Sequence, residues 1–172
     1  MQNAEAVLGI IRERGRKGLP LERLYRCLFN PELYLLAYGR IYCNDGALTP
    51  GVTTETVDGV RLAKIQAIIG ALRSERYRWD PARRVYIEKK GTGKKRPLGL
   101  PSWSDKLLQE VRRLLLEAYY EPQFSEHSHG FRPGRGCHTA LQAIYPGWRG
   151  TTWFIEGDIS DCLDGPSHCS FR

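Results

Sequence analysis

One acidic side chain near the carboxyl end of the chain could bind a metal ion. Asp158 directly follows an apolar stretch that predicts a short buried strand over about 152–158. A carboxylate at the rim of such a strand is open to water and divalent ions, and Mg²⁺ prefers oxygen ligands from carboxylates and substrate phosphates. Asp161 and Asp164 follow at three-residue spacing. The alternative is a solvated strand end that binds no metal.

A cationic segment in the middle of the chain could bind a polyanion. Residues 73–96 contain ten basic and three acidic side chains, an excess of seven that equals the net charge of the whole chain. Tyr77, Trp79 and Tyr86 are interleaved with these cations. The combination suits nucleic acid, because the cations neutralise phosphates and aromatic faces stack on bases. The alternative is a solvated face that only keeps the protein soluble.

A third group of side chains has the types found at zinc sites. His127, His129, Cys137 and His138 combine imidazole with thiolate, which are ligands that Zn²⁺ prefers. Their spacing matches no common zinc motif, so zinc is the weaker interpretation. Cys162 has no histidine near it in sequence and is interpreted as a small buried residue rather than a nucleophile.

The elements that must position these residues are predicted to be helices with one β-hairpin. Each helix is indicated by a cap or by apolar residues that recur every three or four positions. The expected helices cover about 31–42, 58–76, 104–121 and 138–144, and the third of them is expected to be capped at Ser104 and Asp105.

The hairpin is predicted within the cationic segment. Two extended stretches, 83–89 and 96–100, flank a glycine turn at 91–93. Pro97 lacks an amide donor and must therefore face away from the ladder or lie on an edge. Helices, a hairpin and one late strand together predict an α+β fold.

The length and composition limit the class of protein. With 172 residues the chain is one domain or the front part of a larger one. It has no apolar run long enough to cross a bilayer, so no membrane partner is expected. The five cysteines are scattered without a C-x-x-C pair, which favours a reducing compartment, and we expect a cytoplasmic protein.

Six short motifs make the chain resemble a known family. In order and spacing they are similar to those of the reverse transcriptases encoded by group II introns, and the resemblance runs from near the start to about Asp164. The motifs are Leu48–Gly51, Val85–Lys90, Arg96–Pro101, Glu121–Phe124, Ser128–Arg135 and Phe154–Ile159. The resemblance implies the fingers and partial palm of a right-hand polymerase, with helices packed around the basic hairpin and a short palm strand.

The resemblance also implies a division of the chain into three segments. Residues 1–57 would be an N-terminal helical extension of the fingers, 58–150 the fingers with the basic hairpin, and 151–172 the truncated start of the palm.

The same resemblance implies roles for individual residues. Asp158 is similar to the first catalytic, metal-binding aspartate of the palm, which would hold Mg²⁺ together with later aspartates. Arg83, Lys89 and Arg96 correspond to fingers residues that bind the incoming triphosphate. Leu163 occupies a nucleotide-binding position where the family has phenylalanine, a larger side chain that excludes a ribose 2′-OH.

Further cations are implied to contact RNA. They lie on the hairpin and in the loop of the Ser128–Arg135 motif, and they are Lys90, Lys94, Lys95, Arg132 and Arg135. The implied partners are intron or template RNA, with a DNA primer and a deoxynucleoside triphosphate in the complete enzyme.

The sequence departs from the family pattern after Asp164, and it contains no Ala-Asp-Asp-type motif. One palm carboxylate does not make a two-ion site, so we expect the chain by itself to lack polymerase activity. The alternatives are an inert RNA-binding remnant and a truncated gene product that does not fold stably.

Overall fold

The computed structural model of the chain describes residues 3–44, 46–57, 62–88, 91, 93 and 95–157. The chain forms two compact units, Met1–Phe124 and Ser125–Arg172. The divisions predicted at 57 and 150 come from the family resemblance and not from compactness, so the two units do not test them and they stay a prediction.

In its described residues the first unit has five α-helices and one hairpin. The helices are α1 (Ala4–Arg16), α2 (Leu24–Cys27), α3 (Pro31–Tyr42), α4 (Leu62–Arg73) and α5 (Trp103–Tyr120). The strands are β1 (Arg83–Glu88) and β2 (Lys95–Leu100), and a 3₁₀ turn over Glu121–Gln123 follows α5. The mixture of helices with a small antiparallel sheet confirms the predicted α+β class.

Helix α5 is the centre of the core. It is amphipathic over five turns, and α1 and α3 pack against its apolar face. Burying a leucine-sized side chain contributes roughly 1.5–3 kcal/mol, so this face is a main source of the unit's stability. Its buried apolar residues are Trp103, Leu107, Leu108, Val111, Leu114, Leu115 and Ala118.

Helices α1 and α5 meet almost backbone to backbone. A Cβ atom added to Gly15 would lie 2.0 Å from the carbonyl oxygen of Tyr119, so the contact requires a residue without a side chain. The Tyr119 hydroxyl donates to the carbonyl of Leu19 at 2.8 Å, which ties the chain after α1 to the same region. Gly15 therefore fixes how closely α1 docks on the core.

The start of α3 confirms the prediction made from Asn30 and Pro31. The Asn30 side chain accepts from the Glu32 amide at 3.1 Å, and Pro31 occupies the first helical position. Tyr34 is fully buried in the first half of the helix and donates its hydroxyl to the Leu28 carbonyl at 2.9 Å. Burial raises the pKa of Tyr34, so it stays protonated under ordinary conditions.

Two predicted helix limits are corrected. Helix α5 begins at Trp103, and its cap is Ser102 rather than Ser104 and Asp105, because the Ser102 hydroxyl accepts from the Asp105 amide at 3.4 Å. Helix α4 ends at Arg73 rather than near residue 76, because Glu75 takes a left-handed conformation with φ of 56° that a helix cannot continue through. Residues 58–61 at its predicted start lie outside the described part of the chain.

The hairpin confirms the predicted pairing of extended segments. β1 and β2 are antiparallel, with Arg83 opposite Leu100 and Glu88 opposite Lys95. At the turn, Gly91 and Gly93 have φ of 80° and 61°, a region that favours glycine. Since the sheet has two strands, β2 is an edge strand, where Pro97 is tolerated.

The second unit contains a loop over 125–136 and helix α6 (Cys137–Gly147). The short helix predicted at 138–144 is confirmed with slightly wider limits. The strand predicted over 152–158 is not formed in residues 151–157. A strand needs a ladder partner to satisfy its amides, and no partner pairs with these residues in the described part of the unit.

We predict opposite effects for two glycine substitutions in α1. Gly15→Ala forces α1 away from Tyr119 and should lower the free energy of unfolding by about 1–3 kcal/mol, the cost of overpacking. Gly9→Ala has nothing within 4 Å of its added Cβ and should stabilise by about 1 kcal/mol through helix propensity. Urea unfolding of both variants measures the difference, and equal effects would contradict the close contact.

Candidate nucleic-acid interface

A buried carboxylate holds the entry to the hairpin. Asp105, in the first turn of α5, is 1% exposed, and its two oxygens accept from the Tyr77 hydroxyl at 2.6 Å and the Asp80 amide at 3.0 Å. A buried carboxylate is stable only when its oxygens are hydrogen-bonded, and these two donors come from the segment that leads into β1. The carboxylate therefore fixes where the hairpin leaves the helical core.

Burial raises the pKa of Tyr77, and its hydrogen bond to Asp105 acts in the same direction. The phenol therefore remains the donor of this pair and Asp105 the acceptor.

Two cations bind the backbone of the loop at 46–57, one from the base of the hairpin and one from the first turn of α5. Arg83 donates to the Pro50 carbonyl at 2.9 Å, and Lys106 donates to the Thr49 carbonyl at 2.8 Å. Burial lowers the pKa of Lys106, and the charge of Arg83 lowers it further. The two cations thus lie close together under the backbone carbonyls of the loop.

The same loop is held on its other side by two contacts with the chain around α5. A Cβ on Gly51 would lie 2.4 Å from the Pro101 carbonyl oxygen, so the backbones touch there. The Glu55 carboxylate accepts from the Ser104 hydroxyl at 3.0 Å and pairs with Lys64. Burial acts to raise the pKa of Glu55, but the bonds from Lys64 and Ser104 hold it below its ordinary value.

The strand register sorts the hairpin side chains onto two faces, because directly opposed residues share a face and alternate along each strand. Arg83 and Arg96 lie on one face. Their pairing positions are four residues apart, which is about 13 Å along the ladder. The other face carries Arg84, Tyr86 and Lys95, with one acid, Glu88, opposite Lys95. We name these the Arg96 face and the Tyr86 face.

The exposed cations of the hairpin have no acidic partners. Arg84, Lys95 and Arg96 are exposed, and none pairs with a carboxylate among the described residues. Tyr86 is 61% exposed on the same face as Arg84 and Lys95. A surface with unpaired cations around an exposed ring fits phosphates and bases better than it fits a merely solvated face.

A second exposed ring lies beside the hairpin entry. Trp79 is 46% exposed, packs edge-to-face on Tyr77 with centroids 5.5 Å apart, and is covered by the guanidinium of Arg112, also at 5.5 Å. Arginine stacked on an aromatic ring is held in a defined geometry while its charge stays available. Sequence spacing identified Trp79 but gave no sign of Arg112.

In the second unit the two predicted RNA-binding arginines bond to their own loop. Arg132 donates to the carbonyls of Ser125 and Ser128, both at 2.8 Å, and Arg135 donates to the Glu126 carbonyl. These bonds fold the loop that precedes α6. Contact of either arginine with RNA stays a prediction.

The histidines and cysteine of the zinc alternative also lie in the second unit. His129 Nδ1 is 2.9 Å from the Thr139 hydroxyl, which in turn bonds the backbone of Gly136 at the start of α6. No group of three or more His, Cys, Asp or Glu in the described ranges is arranged to hold a metal ion.

Several predicted site residues lie outside the described part of the chain. They are the catalytic and Mg²⁺-binding Asp158, the nucleotide-binding Lys89 and Leu163, and the RNA-binding Lys90 and Lys94. Of the predicted nucleotide-binding set, the structure describes Arg83 and Arg96 and brings them onto one face of the hairpin.

In the described ranges, no helix is long and apolar enough to cross a bilayer.

Sequence reasoning missed the residues that support the site. Asp105 was interpreted as a cap, and Lys106 was not singled out at all. An aspartate in an otherwise apolar helical stripe was the available signal for a buried carboxylate, since acids are seldom buried without partners.

Comparison with known proteins gives a consistent result. Residues 87–165 match the family described as reverse transcriptase (RNA-dependent DNA polymerase). The group II intron-encoded protein LtrA of Lactococcus lactis subsp. cremoris is 49% identical over 146 residues, which are 85% of this chain and 24% of that protein.

Two eukaryotic relatives are also similar over most of this chain. An uncharacterized 91 kDa protein in the cob intron of Schizosaccharomyces pombe is 45% identical, over 91% of this chain and 20% of its own length. Nuclear intron maturase 2, a mitochondrial protein of Arabidopsis thaliana, is 30% identical over 78% of this chain and 20% of its own. The chain spans between a fifth and a quarter of these three relatives.

We predict that Asp105→Asn loosens the hairpin from the core. An amide keeps the shape but replaces one acceptor by a donor, so Tyr77 must accept instead of donate, and the charge-assisted bonds of the carboxylate are lost. The cost should be about 1–3 kcal/mol of unfolding free energy. Ser104→Ala, one position earlier in the same helix, is the control, because it removes a hydrogen bond to Glu55 but leaves both bonds of Asp105 in place. Equal stability of D105N and the parent would show that the carboxylate does not hold the entry segment.

Stability should fall at high pH through the buried tyrosines. A folded-state pKa raised above the unfolded value of about 10 means that stability is intact below pH 10 and is lost as pH rises beyond it. The Tyr77→Phe variant cannot ionise at this position. Its free energy of unfolding should therefore fall less between pH 8 and 10.5 than that of the parent, and Tyr34 accounts for part of the fall that remains. Urea unfolding at both pH values tests this, and identical losses would contradict it.

Proposed function

Because the chain belongs to the family of group II intron-encoded reverse transcriptases, we propose that it forms the fingers of an RNA-directed DNA polymerase and binds RNA through its cationic hairpin. The observation that supports this most strongly is the unpaired, exposed set of cations around Tyr86, on a hairpin whose base is fixed by Asp105. Phosphate recognition needs cationic side chains that are not paired with carboxylates and that stand on a backbone of fixed position.

In this proposal the two faces of the hairpin bind different ligands. The Tyr86 face binds the RNA backbone through Arg84 and Lys95 and stacks Tyr86 on a base. The Arg96 face binds the triphosphate of the incoming nucleotide, together with Lys89. Arg83 acts from the hairpin base, where its bond to the Pro50 carbonyl couples the loop at 46–57 to this face.

Asp158 is the residue of this chain proposed to bind Mg²⁺. When bound, divalent metal neutralises charge on the transferring phosphate and aligns the attacking and leaving oxygens. The residues of the hairpin orient the triphosphate and balance its charge.

The chain is also proposed to need further carboxylates for chemistry. Its 172 residues contain no Asp-Asp pair of the kind that supplies the remaining ligands of a two-ion site. RNA binding is therefore the activity proposed for this chain alone, and nucleotidyl transfer is proposed for an assembly that includes the missing carboxylates.

We expect RNA binding by the chain to depend on salt and on the Tyr86 face. For single-stranded RNA, each lost phosphate contact reduces the slope of log affinity against log salt by about 0.7, so Arg84→Gln with Lys95→Gln should reduce it by about 1.4. The matched control is Arg16→Gln with Lys17→Gln, which removes the same charge from two exposed cations that pair with Glu13. Fluorescence anisotropy of a labelled 20-nucleotide RNA measures both slopes. Affinity that does not change with salt would refute the proposal.

We expect no templated primer extension by the chain alone. A primer, an RNA template, deoxynucleoside triphosphates and Mg²⁺ are incubated with the purified protein, and products are separated on a denaturing gel. Extension abolished by Asp158→Asn would show that this chain completes a catalytic site and would overturn the need for further carboxylates.

A further inference from the structure

A second cationic cleft lies away from the hairpin, between α2, the start of α3 and the end of α4. It has a volume of about 350 Å³, and its lining includes Arg23, Arg26 and Arg73, with Phe29 among its apolar residues. None of its lining residues is acidic. The cleft therefore concentrates three guanidinium groups around one opening.

The three guanidiniums have no acidic partners among the described residues, and each of these arginines is exposed. Arg14, Arg16, Arg40 and Arg113 of the same unit, by contrast, each pair with a glutamate. Burial raises the pKa of the Cys27 thiol in the lining, so the thiol stays neutral and contributes no negative charge. The positive charge of the cleft is therefore uncompensated.

The cleft is held in shape by contacts between its walls. The Tyr25 hydroxyl on α2 donates to the Leu72 carbonyl near the end of α4 at 2.7 Å. Phe29 packs edge-to-face on Tyr25 at 5.4 Å, and the Arg73 guanidinium lies over the Phe29 ring at 5.6 Å. These contacts tie α2 to α4, so the backbone positions that carry Arg26 and Arg73 are set before any ligand binds, which reduces the entropy lost on binding.

We propose that this cleft binds a phosphate group, and that in the RNA complex it binds a backbone phosphate of the same RNA molecule that contacts the hairpin. Guanidinium groups present planar pairs of donors that match phosphate oxygens. The opening is larger than one phosphate ion, and its aromatic wall suits an adjoining sugar or base. The assignment of RNA as the source of the phosphate depends on the function proposed above, whereas the phosphate chemistry of the cleft does not.

The test compares two variants that remove equal charge. Arg26→Gln with Arg73→Gln alters the cleft, and Arg16→Gln with Lys17→Gln is the control on α1. Anisotropy with the labelled 20-nucleotide RNA should show a salt slope lower by about 0.7 for the cleft variant, because one phosphate contact is lost, and an unchanged slope for the control. Thermal unfolding checks that both variants fold. Equal slopes for the two folded variants would overturn RNA binding by the cleft and leave the hairpin proposal standing.

A second measurement separates RNA from free phosphate as the source. Inorganic phosphate is titrated into the full chain while the Nε–Hε resonances of its arginines are followed by NMR. Shifts at Arg26 and Arg73 that exceed those at Arg16 support the phosphate site, even if no RNA binds and the proposed function fails. Absence of such shifts, together with no RNA binding, would overturn the cleft proposal altogether.

Discussion

The hydrogen bonds of the Asp105 carboxylate determine where the cationic hairpin stands on the helical core. One oxygen faces Tyr77 and the other the amide of Asp80, so a single side chain of α5 satisfies two donors from the segment that enters β1. The hairpin itself contributes little to its own placement, because its strands are almost wholly exposed. A carboxylate removed from water needs these two donors, and the donors of the segment that enters β1 need an acceptor. Because each side requires the other, the position of the segment on α5 is specific.

Close backbone contacts supply the second constraint. Gly15 lets α1 approach Tyr119, and Gly51 lets the loop at 46–57 approach Pro101, so the loop and α1 reach the two ends of the same helix. Arg83 and Lys106 then donate to two backbone carbonyls of this loop. The loop and the hairpin thus meet around the start of α5. The arginine cleft near α2 is a separate cationic region.

Local chemistry explains what could be predicted from the sequence. The limits of α3 follow from Asn30 and Pro31, which act within one turn, and the glycine-tipped hairpin follows from residues next to each other. The fold class could therefore be predicted from such local patterns, and the family from the six motifs. The strand expected at 152–158 was wrong over its described residues, because a strand depends on a partner that the local pattern does not reveal. The role of Asp105 depends on Tyr77, 28 positions earlier, and no local pattern encodes that contact.

The exposure of the hairpin strands has a consequence for how the protein moves. Each strand has a single half-buried residue, so separating β1 from β2 uncovers little apolar surface, while opening α5 uncovers the whole core. Amide protons of the ladder should therefore exchange with solvent through small local openings, and those of α5 only through global unfolding. The hairpin therefore behaves as a separate cooperative unit on a rigid base. It can change its curvature around a ligand without destabilising the helical core.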